Sequence, residues 1–124
     1  MCQELDLEID PKIIPSIAYG FAGGIGNSGS VCGAVSGAIM ALSYKLGKGE
    51  GMEDVMRNLG VMQQYRRRFE EKHGTISCRE LTGTDLSTPE GVAAFMQSDV
   101  PQKVCFPVVG SAYELVLEIL NKQS

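Results

Sequence analysis

The chain of 124 residues has no tryptophan, a single histidine and no Cys-x-x-Cys pair. Without paired cysteines, the spacing of a zinc ribbon or a thioredoxin-type motif is missing. With His73 as the only imidazole, a histidine-rich metal site and a histidine-paired nucleophile both come down to one residue. His73 ends a predicted helix, where a cationic imidazole would complement the helix dipole. Positive charge is scarce too: 11 Lys and Arg stand against 15 Asp and Glu, for a net charge of −4. The footprint needed to bind a phosphate backbone is absent, so nucleic acid is not an expected partner. The short run Arg66-Arg67-Arg68 reads as a solvated helix face.

Long apolar runs are lacking as well. The longest, from 31 to 46, is broken by Gly33, Ser36, Gly37, Ser43 and Lys45, so no membrane span is expected. The first residues, Met1-Cys2-Gln3-Glu4, carry no positive flank or apolar core of a secretory signal, which makes a cytoplasmic location with reduced thiols the expectation. At 13.3 kDa the chain fits one domain over residues 1–124.

Glycine, at 15 residues, is abundant and crowded between Gly20 and Gly37. Gly24-Ile25-Gly26-Asn27-Ser28-Gly29 matches the G-x-G-x-x-G pattern. A dinucleotide fingerprint also needs a buried strand before it and another after the helix, and Gly47-Lys48-Gly49-Glu50-Gly51 offers none. The expectation is a tight turn between packed helices.

The remaining pattern is helical. Asp10-Pro11 starts a short helix ending near Tyr19-Gly20. Ser28 or Ser30 is expected to cap a second, through Val31, Cys32, Ala34, Val35, Ala38 and Leu42 to Gly47. A third, from Met52 to about Lys72, places Val55, Met56, Leu59, Met62, Tyr65 and Phe69 on its inner face. A short turn follows at Cys78-Arg79-Glu80-Leu81. Ser87-Thr88-Pro89-Glu90 begins another helix, stopped by Asp99-Val100-Pro101. The last runs from Lys103 to Lys122, with Pro107 in its first turn and Val104, Val108, Tyr113, Leu115, Val116, Ile119 and Leu120 as core candidates. The predicted fold is all-α, a compact bundle of about five helices with a glycine-rich loop before the second. Gly33, Gly37 and the alanines nearby make a small-residue face that would suit close approach of another helix, including one from a second copy in a homodimer.

The four cysteines are Cys2, Cys32, Cys78 and Cys105, too few for a disulfide-stapled miniprotein. Cys32, Cys78 and Cys105 are each expected near a helix N-terminus, where the dipole lowers a thiol pKa and prepares it for metal ligation, exchange or oxidation. Free cysteine is also a common small apolar filler of cores.

Phe21-Ala22-Gly23-Gly24-Ile25-Gly26, Cys32-Gly33-Ala34-Val35-Ser36-Gly37, Cys78-Arg79-Glu80-Leu81-Thr82-Gly83 and the late Cys105 together resemble the C_GCAxxG_C_C family, to which a redox function is ascribed from its four cysteines. Residue by residue, Cys32, Cys78 and Cys105 match. In similar proteins the first cysteine lies in a longer helix, in an Asn-Cys-Ala-Gln context; Met1-Cys2-Gln3 departs from that pattern, and Cys2 stands as the candidate fourth thiol. The resemblance implies redox thiols at Cys32, Cys78 and Cys105, serving a redox partner protein. In one form the four cysteines ligate an iron–sulfur cluster, with Gly26, Gly33 and Gly37 leaving room for the bound group. In the other, dithiol and disulfide interconvert, with Cys32 as nucleophile. The alternative from another class is a structural or interaction module with zinc-bound or merely buried cysteines and no redox role.

Overall fold

The computed structural model describes residues 10 and 12–123. Among them are six α-helices: α1 (Ile13–Ala18), α2 (Gly33–Leu46), α3 (Gly51–His73), α4 (Cys78–Thr82), α5 (Pro89–Gln97) and α6 (Phe106–Gln123). A 3₁₀ turn, Tyr19–Phe21, extends α1, and a π-helical turn, Pro101–Cys105, leads into α6. No strand occurs among the described residues. The all-α bundle is as the periodicity predicts.

The core is built by α2, α3 and α6. Val35, Ala38 and Leu42 on α2 and Val61, Tyr65 and Phe69 on α3 recur every three or four residues, as do Val108, Ala112, Leu115, Val116 and Ile119 on α6. Each set forms one stripe of a 3.6-residue helix. On α3 the expected stripe is right only in part: Met56 and Leu59 are exposed, because the burying partners cover the C-terminal half of the helix.

Within Pro101–Lys122 an 18-residue window reaches a mean hydropathy of 1.4, so by length and composition alone this helix could cross a bilayer, a test that the core helix of a globular protein also passes. In this fold it supplies the central stripe of the core against α2 and α3.

Local signals set the remaining boundaries. Thr88 caps α5, its hydroxyl accepting the Gly91 N–H at 3.0 Å, with Pro89 next. Gly74 in the left-handed region ends α3. Neither Ser28 nor Ser30 caps α2; Cys32 occupies that position. Pro107 lies beyond the first turn of the continuous helix from Pro101. A proline inside an α-helix clashes with the carbonyl four residues back. Here the preceding turn widens, and the Phe106 N–H donates to the Pro101 carbonyl five residues back.

Phe69 is wholly buried, so Phe69→Ala should lower unfolding free energy by about 3–5 kcal/mol in urea titrations. The exposed Met56→Ala should stay within about 0.5 kcal/mol of wild type.

Candidate functional site

The glycine-rich loop forms a left-handed turn. Gly23, Gly24, Ile25, Gly26 and Asn27 all have φ between 57° and 72°, a run that L side chains disfavour and glycine permits. Ile25 is the costly member, since a β-branched residue at positive φ is strained. The turn is closed by Gly29 N–H to Gly23 O at 3.0 Å and Ser30 N–H to Gly24 O at 2.9 Å. Gly24 is pressed so closely to its neighbours that a Cβ there would stand 2.5 Å from the Ser30 nitrogen and 2.7 Å from Cβ of Cys78. The loop is a tight turn between helices, as expected, and it abuts a cysteine.

The segment after the loop aligns two thiols. Val31 and Ser77 form an isolated antiparallel bridge. It is flanked by Cys32 N–H to Ile76 O at 2.7 Å, Cys78 N–H to Ser30 O at 2.6 Å and Arg79 N–H to Gly29 O at 3.2 Å. Side chains alternate across such a pairing, so Cys32 and Cys78 share the face opposite to Val31 and Ser77, as diagonal neighbours. Cys105 arrives from the π-helical turn, which packs against α4.

Cys32, Cys78 and Cys105 all line one cavity of about 460 Å³. Its walls are Ala22, Gly23 and Asn27 from the loop, Gly33 and Ala34 from α2, and Leu81, Thr82 and Leu86 from α4 and beyond. Val92, Phe95 and Met96 from α5, with Val104, Val108 and Val109, close the far side. Cys78 is buried, whereas Cys32 and Cys105 are half-buried, and all three are free thiols. Of the glycines expected to make room for a bound group, Gly33 lines the cavity and Gly26 and Gly37 do not. Cys2 lies outside the described residues.

The electrostatics correct one expectation. Burial, then the neighbouring Cys32 and Cys105, push the Cys78 thiol above its ordinary pKa. Burial and Cys32 push Cys105 up in the same direction. The helix ends expected to lower these two pKa values do not reach them. At the start of α4 the Cys78, Arg79 and Glu80 N–H groups are spent on Ser30, Gly29 and the Ser77 hydroxyl, and Cys105 sits a turn inside a continuous helix rather than at its free end.

His73 also differs from its expected role. Burial and the adjacent Lys72 lower its pKa, and its Nε2 lies 2.9 Å from the Ser111 hydroxyl. It is a neutral ring tying α3 to α6, outside the thiol cavity. Sequence reasoning missed the apolar walls from α5, Val92, Phe95 and Met96; their helical spacing marks them only as an inward face, and nothing in the sequence says that the face meets thiols.

Against this geometry the comparison with protein families is informative. Residues 1–119 match the C_GCAxxG_C_C family, described as "Putative redox-active protein". The chain belongs to the C_GCAxxG_C_C family. Comparison with curated proteins and with solved structures finds no match. The matched span includes all four cysteines, and the three whose placement is described meet in one cavity.

Gly24→Ala should cost more than the about 1–2 kcal/mol of the left-handed conformation alone, because the new Cβ also overlaps Cys78. Gly26→Ala has open space and should cost only that conformational amount; urea unfolding of both variants checks the difference.

The raised thiols predict alkaline behaviour. Their protonated form is favoured in the folded state, so their contribution to stability is whole below the ordinary thiol pKa and is lost as pH rises through the elevated values. Urea midpoints should fall through that alkaline range, and less so for Cys78→Ala measured against its own neutral-pH midpoint. His73 acts in the acid direction: its lowered pKa gives stability present above the ordinary histidine range and lost as pH falls through the folded value.

Proposed function

We propose that the chain is a dithiol–disulfide redox protein in which Cys32 attacks and Cys78 resolves. The observation that carries this reading is the placement of the two thiols on one face of the Val31–Ser77 pairing, both lining the same cavity. Cys32 caps the fourteen-residue α2, where the partial positive charge of the helix end meets developing negative charge. It is also half-buried, and so within a substrate's reach. Cys78 is buried and meets a partner sulfur only after Cys32 has brought it in.

The acceptor is a disulfide, R–S–S–R′. The Cys32 thiolate attacks one sulfur, forming the Cys32–S–R bond, breaking S–S and releasing R′–S⁻. The Cys78 thiolate then attacks Cys32 Sγ, forming the Cys32–Cys78 bond and releasing R–S⁻. The two cysteines lose two protons and two electrons, and R–S–S–R′ leaves as two thiols. Because Cys78 is held protonated by burial and its thiol neighbours, the second step is the slow one near neutral pH and accelerates as pH rises. Diagonal neighbours across a bridge stand about 7–8 Å apart at Cα, slightly beyond the span of about 4.4–6.8 Å for a disulfide, so closing the bond draws the two segments together.

A second reading, an iron–sulfur cluster, is favoured by one observation: three thiols meet where a dithiol cycle uses two. A cluster needs its donors around one point. Among the described residues no three of His, Cys, Asp and Glu are gathered closely enough to hold an ion, so Cys32, Cys78 and Cys105 as placed do not fit that group.

The deciding experiment treats anaerobically purified, reduced protein with hydroxyethyl disulfide, maps cysteines by peptide mass spectrometry and assays iron, zinc and acid-labile sulfide. The expected result is a Cys32–Cys78 disulfide with two small thiols released per chain, absent in Cys32→Ser and arrested as a Cys32 mixed disulfide in Cys78→Ser. A brown protein with iron and sulfide, bleached by Cys32→Ser, would overturn it in favour of the cluster. Zinc with thiols inert to exchange would overturn it in favour of a structural module.

A further inference from the structure

Among the described residues, the lining of the cavity around the thiols has no charged side chain, and its only polar side chains beyond the cysteines are Asn27 and Thr82. Thr82 is already engaged, donating to the Cys78 carbonyl at 2.8 Å and accepting the Thr84 N–H at 3.3 Å. The mouth continues the same character. Met96 and Val109 line the cavity while remaining 69% and 55% exposed, apolar surface that burial under a ligand would stabilise. Arg79 and Asp85, each next in sequence to a lining residue, pair with one another at 3.4 Å.

From these features, and resting on the dithiol reading above, we infer that the site exchanges with an uncharged disulfide or dithiol carried on an apolar stem, the chemical kind that lipoamide represents. A volume of about 460 Å³ lies in the range of small-molecule sites. A peptide thiol bearing carboxylates, such as glutathione, would have to bring those charges to walls that offer no counter-ion, and an unpaired charge in such surroundings is expensive. A cyclic disulfide on a hydrocarbon stem places sulfur beside Cys32 and its methylenes against Phe95, Met96 and Val109. Exchange with it balances within itself: the two cysteine thiols and the cyclic disulfide become a Cys32–Cys78 disulfide and the open dithiol, or the reverse.

The test uses two reagents whose released thiols are both coloured. One, 4,4′-dithiodipyridine, is neutral and apolar; the other, 5,5′-dithiobis(2-nitrobenzoate), carries two carboxylates beside the disulfide. Each rate with the reduced protein is divided by its rate with N-acetylcysteinamide, so that intrinsic reactivity cancels. The expected result is a preference for the neutral reagent of about tenfold or more, from the cost of bringing an unpaired charge to apolar walls. It should persist at about 0.5 M salt, where the field of the net charge is screened. Val109→Lys, at the exposed mouth, should narrow the preference by speeding the dianion. Equal normalised rates, or a preference that vanishes with salt, would overturn the inference and leave the dithiol reading standing. If both reagents leave only mixed disulfides and no Cys32–Cys78 bond, the dithiol reading fails, and the inference with it.

Discussion

The pairing of residues 29–32 with 76–79 is the constraint on which the site depends. It is small, one antiparallel bridge with its flanking hydrogen bonds, yet it joins segments separated by all of α2 and α3. Closing so long a loop costs entropy, and the bridge alone does not offset it; the packed stripes of α2, α3 and α6 do. The cysteines are therefore positioned by the core indirectly. Core packing fixes where α2 begins and α3 ends, and those two ends present the backbone groups that pair. The same hydrogen bonds consume the amide donors at the start of α4, which is why Cys78 gains nothing from that helix end.

The left-handed turn has its meaning in this setting. It must deliver the chain from the 3₁₀ turn to the bridge within a few residues while lying directly against Cys78. A run of glycines in the left-handed region does this because the backbone can then lie where a Cβ would collide, as at Gly24. Glycine's freedom does not account for Ile25, which takes φ 66° with a branched side chain, so surrounding hydrogen bonds impose a strained conformation there. Strain of this kind persists only where neighbouring structure over-determines it.

Much of this was legible in the sequence, and what was not has physical reasons. Helix existence followed from 3.6-residue spacing, and the start of α5 at Thr88-Pro89 from residue chemistry, because both signals are local. The importance of Cys32, Cys78 and Cys105 came from the family's motifs. Their meeting in one cavity is a product of long-range pairing, which no local pattern encodes. The start of α2 was misplaced for the same reason: Val31 is claimed by a partner 46 positions away, so Ser30 spends its backbone on a bridge instead of a cap. The exposed Met56 and Leu59 were read as core because periodicity reports a face and is silent on whether anything covers it.

The direction of the thiol pKa shifts ties chemistry to fold. Reactive thiols are commonly made so by positive surroundings; here apolar walls and neighbouring sulfurs act the other way on Cys78 and Cys105. In the folded state Cys78 and Cys105 thus favour their neutral, protonated form, which suits a cavity whose described lining has no charge to pair with a thiolate. For the dithiol cycle we propose, the geometry favours a start at Cys32, half-buried at the cap of a long helix, and passage inward to the buried Cys78. In that cycle, a Cys32 held in disulfide linkage has no ionisable thiol, so the part of the upward shift on Cys78 and Cys105 that comes from Cys32 is removed, while burial, the larger cause, remains. The proposed order, Cys32 first and Cys78 second, follows the order in which the fold buries the two sulfurs.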